Sequence, residues 1–346
     1  MKDVDLICKL NKDWQPDNIK IKKAGGQTNR NFIVQHKNKK FFVRLPWETS
    51  VIDRNTEGKN ILALSRNKKL REILPKYYIY ILRGKNILSP KGEKFNLPDG
   101  TMVAEYILGR IFTASLFKIK KYQERLARMF YVFHTSGTRF NNKYNVFRDE
   151  IEKYRVAAKK YPIQKIISPE IIENLNKIEK EAALMVPIKK RVPAHNDFIF
   201  QNFLIGNNGK IYLLDFEYAG MSEKGGALYD FAFLFADNLF RKPTITKELF
   251  EKFLRVADKI YRQSLDRNQI WWLVATVAVM QVWWGLLRYF DVKTKKEKKY
   301  FKDYVLKRAK GILDLYKIIS KKMGLVHTSP DEIRDAFNNS FRKLQY

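Results

Sequence analysis

Short alternating apolar runs fill the first hundred residues, and long helical spacing follows them. NFIVQH and FFVRL flank the polar stretch KNKK, so they read as two strands of a hairpin. DRNTEGKNILALSRNKKL sets Ile61, Leu62, Leu64 and Leu70 at helical spacing. KYYIYIL and TMVAEYIL read as further strands, with a Gly- and Pro-rich loop from Arg83 to Gly100 between them. From Leu116 onward the pattern predicts helices over about 121–135, 147–160, 169–184, 247–264, 269–290 and 299–321. A second hairpin, FLIGNNGKIYLLDF, interrupts them with Asn207-Asn208-Gly209 at its turn. The fold class implied is α+β, with a β-rich N-terminal lobe (1–107) and a mainly helical C-terminal lobe (108–346). The change of character falls at EYILGR, Glu105 to Arg110, which reads as a hinge.

Composition narrows this picture. A chain of 346 residues, 45% hydrophobic, can bury a sizeable core in two lobes. The apolar run Trp271 to Leu287 contains Gln281 and falls short of the roughly 20 apolar residues a membrane span needs, so a buried core helix is expected. The lone cysteine, Cys8, excludes an intramolecular disulfide and fits a reducing compartment. The charged N-terminus has no apolar signal region. A cytoplasmic location is therefore expected. The net charge of +31 suggests attraction to polyanions, but the lysines are dispersed and no basic block carries interleaved aromatics. A solvated basic surface is expected rather than a nucleic-acid arm, and it also suits an anionic nucleotide.

The candidate chemistry lies in HNDFIFQN, His195 to Asn202. Phosphoryl transfer to a hydroxyl needs a carboxylate to take the acceptor's proton. It also needs an amide oxygen and a second carboxylate to hold Mg²⁺ against the phosphates. The spacing H-x-D-x-x-x-x-N followed by a strand-ending Asp supplies these groups. Asp197 is the candidate base, Asn202 and Asp215 are the candidate metal ligands, and His195 props the loop. On the nucleotide side there is no G-x-G-x-x-G. In its place GGQTNRN offers Gly25, Gly26, Thr28 and Asn29 as phosphate contacts. Arg44 in FFVRL is a phosphate ligand candidate, and Glu57 on the next helix is its candidate partner.

GGQTNRNF, FFVRLP, IDRNTE, HNDFIFQNFLI and LLDFEYAG together resemble the choline/ethanolamine kinase family, and more closely its bacterial choline kinase branch. The resemblance covers about residues 20 to 320 and implies the two-lobed protein-kinase-like fold shared with aminoglycoside phosphotransferases. It implies ATP as co-substrate, Mg²⁺ as cofactor and choline as the phosphorylated alcohol. It also implies that Glu105 to Ile107 meet adenine through the backbone and that Asp230 buttresses the catalytic loop. Choline has no N–H to donate, so aromatic faces and a carboxylate hold it. By the same resemblance Asp237, Trp284 beside Trp283, and Tyr304 are its candidate contacts. Two departures border that pocket: Leu287 replaces a second tryptophan, and MSEKGGALYD adds residues after DFEYAG. Ethanolamine, thiamine and aminoglycosides stay open as acceptors, and a homodimer stays open as an assembly. The remoter alternative is a non-catalytic basic module that binds polyanions. No specific nucleic acid and no membrane span is expected.

Overall fold

The computed structural model describes residues 3–25, 29–46, 53–241 and 245–323. In chain order the elements are α1 (Asp3–Cys8), β1 (Ile19–Lys23), β2 (Asn29–His36), β3 (Lys39–Pro46), α2 (Arg54–Arg66), β4 (Tyr77–Leu82), β5 (Lys85–Asn86), β6 (Met102–Glu105), β7 (Gly109–Ile111), α3 (Ala114–Phe117) and α4 (Lys120–His134). Then come β8 (Lys143–Tyr144), a π-helical turn (Phe147–Glu152), α5 (Lys153–Ala158), α6 (Pro169–Met185), β9 (Ile188–Ala194), β10 (Phe203–Gly206), β11 (Ile211–Leu213) and β12 (Gly220–Lys224). The chain closes with α7 (Leu228–Arg241), α8 (Lys247–Tyr261), α9 (Arg267–Asp291) and α10 (Lys295–Met323). These elements form two compact units. One comprises Met1–Asn142 and Phe200–Met221, the other Lys143–Ile199 and Ser222–Tyr346.

The first unit is built on a six-stranded sheet in the order β1-β2-β3-β6-β4-β5. The first hairpin forms between β2 and β3, with His36 opposite Lys39. Its turn is tighter than KNKK suggests: Lys37 alone takes a positive φ of 53°, and Lys39 and Lys40 already belong to β3. Ile7, Leu10 and Trp14, in and just after α1, pack with Phe32, Val34, Val43 and Leu45 of the sheet into one apolar core. The second hairpin, β10 with β11, is held in the same unit because β10 also pairs with β7, Leu204 opposite Ile111. That pairing is why residues 200–221 group with the first unit. Strand pairing across long sequence separations left no local signal in the chain.

The second unit is mainly helical. Helix α6 starts where Ser168 accepts from the Ile171 N–H, with Pro169 in its first turn. Helix α9 is apolar enough to span a membrane by composition, with mean hydropathy 1.7, but 89% of that stretch is buried inside the protein. It is a core helix: Trp271 packs edge-on against Phe235, and Trp272 against Tyr316. Helix α10 lies close to α9 at Gly285, where an added Cβ would sit 2.8 Å from the Tyr304 ring. The expected helix over 147–160 is split, because its first six residues wind as a π-turn before α5 begins. Such turns recur at functional sites. Helix α7 places Asp230 and Asp237 two turns apart, and both are buried, at 0% and 3% exposure.

Candidate active site

In the first unit, Asp53 caps α2 by accepting from the backbone N–H of Asn55 and Thr56. This fixes the start of the helix and puts Glu57 in its first turn, completely buried. Arg44 reaches it from β3, with Nη1 donating to Glu57 Oε1 at 2.6 Å. Arg54 donates to Glu57 Oε2 at 2.8 Å and to Asn29 Oδ1 at 2.6 Å. Tyr80 Oη donates to the same carboxylate at 2.8 Å. Arg44 is thus a buried, paired cation. Its Nε and Nη2 also donate to the Gly100 carbonyl at 3.3 and 3.2 Å.

Burial works against the Arg44 charge, but Glu57, with Tyr80 and Asp215, outweighs it and holds the guanidinium above its ordinary range. Burial likewise pushes Glu57 up, and the two arginines outweigh it, leaving the carboxyl below the usual carboxylate range. Two arginines against one glutamate leave one net positive charge, which suits an anionic phosphate nearby. Asn29 is tied into this network, and Gly25 takes a positive φ of 71° just before it. Gly26 and Thr28 lie outside the described residues.

Asn202 and Asp215 also belong to the first unit. They flank the second hairpin, and the Leu214 N–H donates to the Asn202 carbonyl at 2.9 Å, which ties the two ends together. Asp215 adopts φ 63°, a left-handed conformation that Asp tolerates better than most residues. Solvent reaches its side chain, but the protein packed on its other sides costs it hydration and pushes the carboxyl up, with Arg44 partly opposing. One amide and one carboxylate form a hard oxygen donor set. That set fits Mg²⁺, which takes few protein ligands and leaves the rest to water and phosphate. Among the described residues no three His, Cys, Asp or Glu side chains converge on a metal site.

In the second unit the loop that carries Asp197 is clamped by Asp230. Its two oxygens accept the backbone N–H of His195 at 2.9 Å and of Asn196 at 2.8 Å. Asn196 takes φ 63°, so the chain reverses in the left-handed region immediately before Asp197. The Ile199 N–H donates to the Asp197 carbonyl at 2.9 Å, closing a tight turn. His195 is fully buried, and its ring lies 4.9 Å from that of Phe198. This is the setting of a loop prop. Asp197 itself is half-buried.

The three expected acceptor contacts converge within the second unit. The Trp284 and Tyr304 rings lie 5.5 Å apart. The Arg308 guanidinium sits 3.3 Å from the Tyr304 ring centroid, and its Nη2 is 3.4 Å from Asp237 Oδ1. Trp283, by contrast, is a core residue at 2% exposure. Sequence reasoning missed Arg308 and Arg54. Gln281, the polar interruption of an apolar run, was the available signal for Arg308, because it accepts from Arg308 Nε at 2.7 Å. Glu105 is the last residue of β6. Its N–H donates to the Lys76 carbonyl at 2.8 Å, and its carboxylate accepts from the Lys76 N–H at 3.2 Å. Ile107 follows in the link to β7.

Residues 21–246 match the choline/ethanolamine kinase family, and the chain belongs to that family. The fold is protein-kinase-like. The chain is similar to the choline kinase LicA from Streptococcus pneumoniae, with TM-score 0.65 and 21% identity over 86% of this chain and 92% of that one. It is similar to a choline kinase from Cryptosporidium parvum Iowa II, with TM-score 0.66 and 18% identity over 92% and 96%. A Plasmodium vivax ethanolamine kinase gives TM-score 0.63 and 19% identity over 86% and 82%. No curated protein matches the sequence.

Proposed function

We propose that the chain transfers the terminal phosphoryl group of ATP to the hydroxyl of a small alcohol, with choline, giving phosphocholine, as the first acceptor. The observation that carries this is the Asp230 clamp. It holds the backbone on the N-terminal side of Asp197, in a loop that runs on to Asn202. Asp197 takes the proton of the acceptor hydroxyl as the oxygen–phosphorus bond forms, and ADP leaves. Asn202 and Asp215 would hold Mg²⁺, which would supply charge neutralisation at the phosphates. Arg44, held by Glu57, and Asn29 with Gly25 serve the phosphates, and the backbone from Glu105 to Ile107 serves adenine. Asp237, Trp284 and Tyr304 line the acceptor side.

The test is ADP release from Mg-ATP with choline, ethanolamine, thiamine or an aminoglycoside added singly. Stimulation by choline supports the full proposal. Stimulation by another alcohol alone keeps the kinase and replaces the acceptor. Salt-dependent polyanion binding with no ADP release under any acceptor contradicts the proposal and favours a binding module.

A further inference from the structure

Helix α6 buries Ile171, Leu175, Ile178 and Ala182 along one stripe. Leu184 falls two residues past that stripe, so the helix turns it away from the core. It is 83% exposed, and Ile188, the first residue of β9, is 69% exposed. These are the two most exposed large apolar side chains among the described residues. Met185, 37% exposed, and the exposed Pro187 complete an apolar tip between α6 and β9. Hydrogen bonds hold the tip in this form. Lys224 Nζ donates to the Ala183 and Val186 carbonyls at 2.8 Å each, and the Val186 N–H donates to the Ala182 carbonyl at 2.9 Å. Cations flank it. Lys180 is exposed one helical turn before Leu184, and Lys190 and Arg191 are exposed just after Ile188. Arg191 lies 2.8 Å from the Glu223 carboxylate and Arg148 lies 3.8 Å from it, so two guanidinium groups share one acid. Glu181, beside Lys180, accepts from Tyr316 Oη at 2.8 Å.

An exposed apolar tip with a basic collar suits a surface that offers both an apolar interior and negative charge. A second copy of the chain would bring two such collars, and two charges of +31, together. Three apolar side chains also fall well short of the roughly 800 Å² per partner that a stable protein interface covers. We infer that the tip between α6 and β9 is a membrane-contact site: Leu184, Met185 and Ile188 enter the boundary between headgroups and acyl chains of an anionic lipid bilayer, while Lys180, Lys190 and Arg191 meet its phosphates. So few apolar side chains give a peripheral, reversible contact and not a span. The inference does not depend on phosphoryl transfer.

Co-sedimentation of the full chain with lipid vesicles tests it. The wild type should bind vesicles of phosphatidylcholine with about 30% phosphatidylglycerol at least about tenfold more tightly than vesicles of phosphatidylcholine alone. Leu184→Ser combined with Ile188→Ser should weaken binding to the anionic vesicles by about tenfold or more, since each apolar side chain taken out of water contributes about a factor of ten. Lys180→Gln combined with Lys190→Gln should also weaken it by about tenfold or more, at about a factor of five per cation. All four positions are exposed, so both double variants should melt with the wild type. Heparin offers charge without an apolar phase, so the serine variant should bind it as the wild type does. No binding of the wild type to anionic vesicles overturns the inference. Vesicle binding by the serine variant within about threefold of the wild type also overturns it, because charge attraction alone would then suffice. Dimers seen by light scattering that the serine variant abolishes, with no vesicle binding by the wild type, would make the tip a self-interface and overturn the inference as well.

Discussion

Replacing Asp230 with alanine removes the acceptor of two buried backbone N–H groups, those of His195 and Asn196. Each orphaned donor costs about 1–3 kcal/mol, part of which water regains once the loop opens. The clamp is therefore worth roughly 2–5 kcal/mol of local stability. It also opposes the strain of the left-handed Asn196. Hydrogen–deuterium exchange over the segment 194–200 reads this directly. The amides of His195 and Asn196 should exchange about thirtyfold to several-thousandfold faster in Asp230→Ala, since about 1.4 kcal/mol is a factor of ten in an opening equilibrium. Amides in the first unit's sheet, such as those of Val34 and Val43, should keep their protection, which separates loop release from global unfolding. Exchange at 195–196 within about threefold of the wild type would refute the argument that Asp230 holds the loop.

Three further outcomes follow from the packing and charge. Burial raises the Glu150 carboxyl to about 7 from the 4.5 of an exposed glutamate, so the folded chain holds that proton more tightly than the unfolded one. Its stabilisation is full below pH 4.5 and is lost as the pH rises through about 7, by at most ~3 kcal/mol. Urea midpoints at pH 5 and pH 8 should show that loss in the wild type and a smaller one in Glu150→Gln. Glu57→Ala strands Arg44 and Arg54 and should cost about 3–5 kcal/mol by urea unfolding, and a loss below about 1 kcal/mol would show that the triad is not a stabilising unit. Gly285→Ala should lower stability by about 1–3 kcal/mol by pressing on Tyr304 and Val305, whereas the roughly 1 kcal/mol gain expected of a helical glycine replaced by alanine would show that α10 can give way.

The local pattern carried much of this architecture. The helices expected at about 121–135, 169–184, 247–264, 269–290 and 299–321 correspond to α4, α6, α8, α9 and α10, because an amphipathic or apolar repeat is written into consecutive residues. Both hairpins were legible for the same reason, through turn residues between apolar runs. What escaped was long-range. The pairing of β7 with β10 joins residues nearly a hundred positions apart and groups residues 200–221 with the first unit. The π-turn at Phe147–Glu152 has the periodicity of an ordinary helix at the resolution of a sequence pattern.

At the candidate site, Asp197, Asn202 and Asp215 are proposed from spacing, since phosphoryl transfer would fix their residue types. Arg54 and Arg308 had no such spacing. In a chain with 67 lysines and arginines, two more basic residues carry no contrast, and only the buried carboxylates they meet single them out. The segment from His327 onward, in which no function was legible, lies outside the described residues.

The central claim is phosphoryl transfer to an alcohol with Asp197 as the base. Phosphorus NMR of Mg-ATP, acceptor and protein follows the transferred group itself. The account predicts a phosphate monoester growing as ATP is converted to ADP with the wild type, and none with Asp197→Ala, while titration shows that the variant still binds nucleotide. Ester formation by Asp197→Ala at the wild-type rate would contradict it.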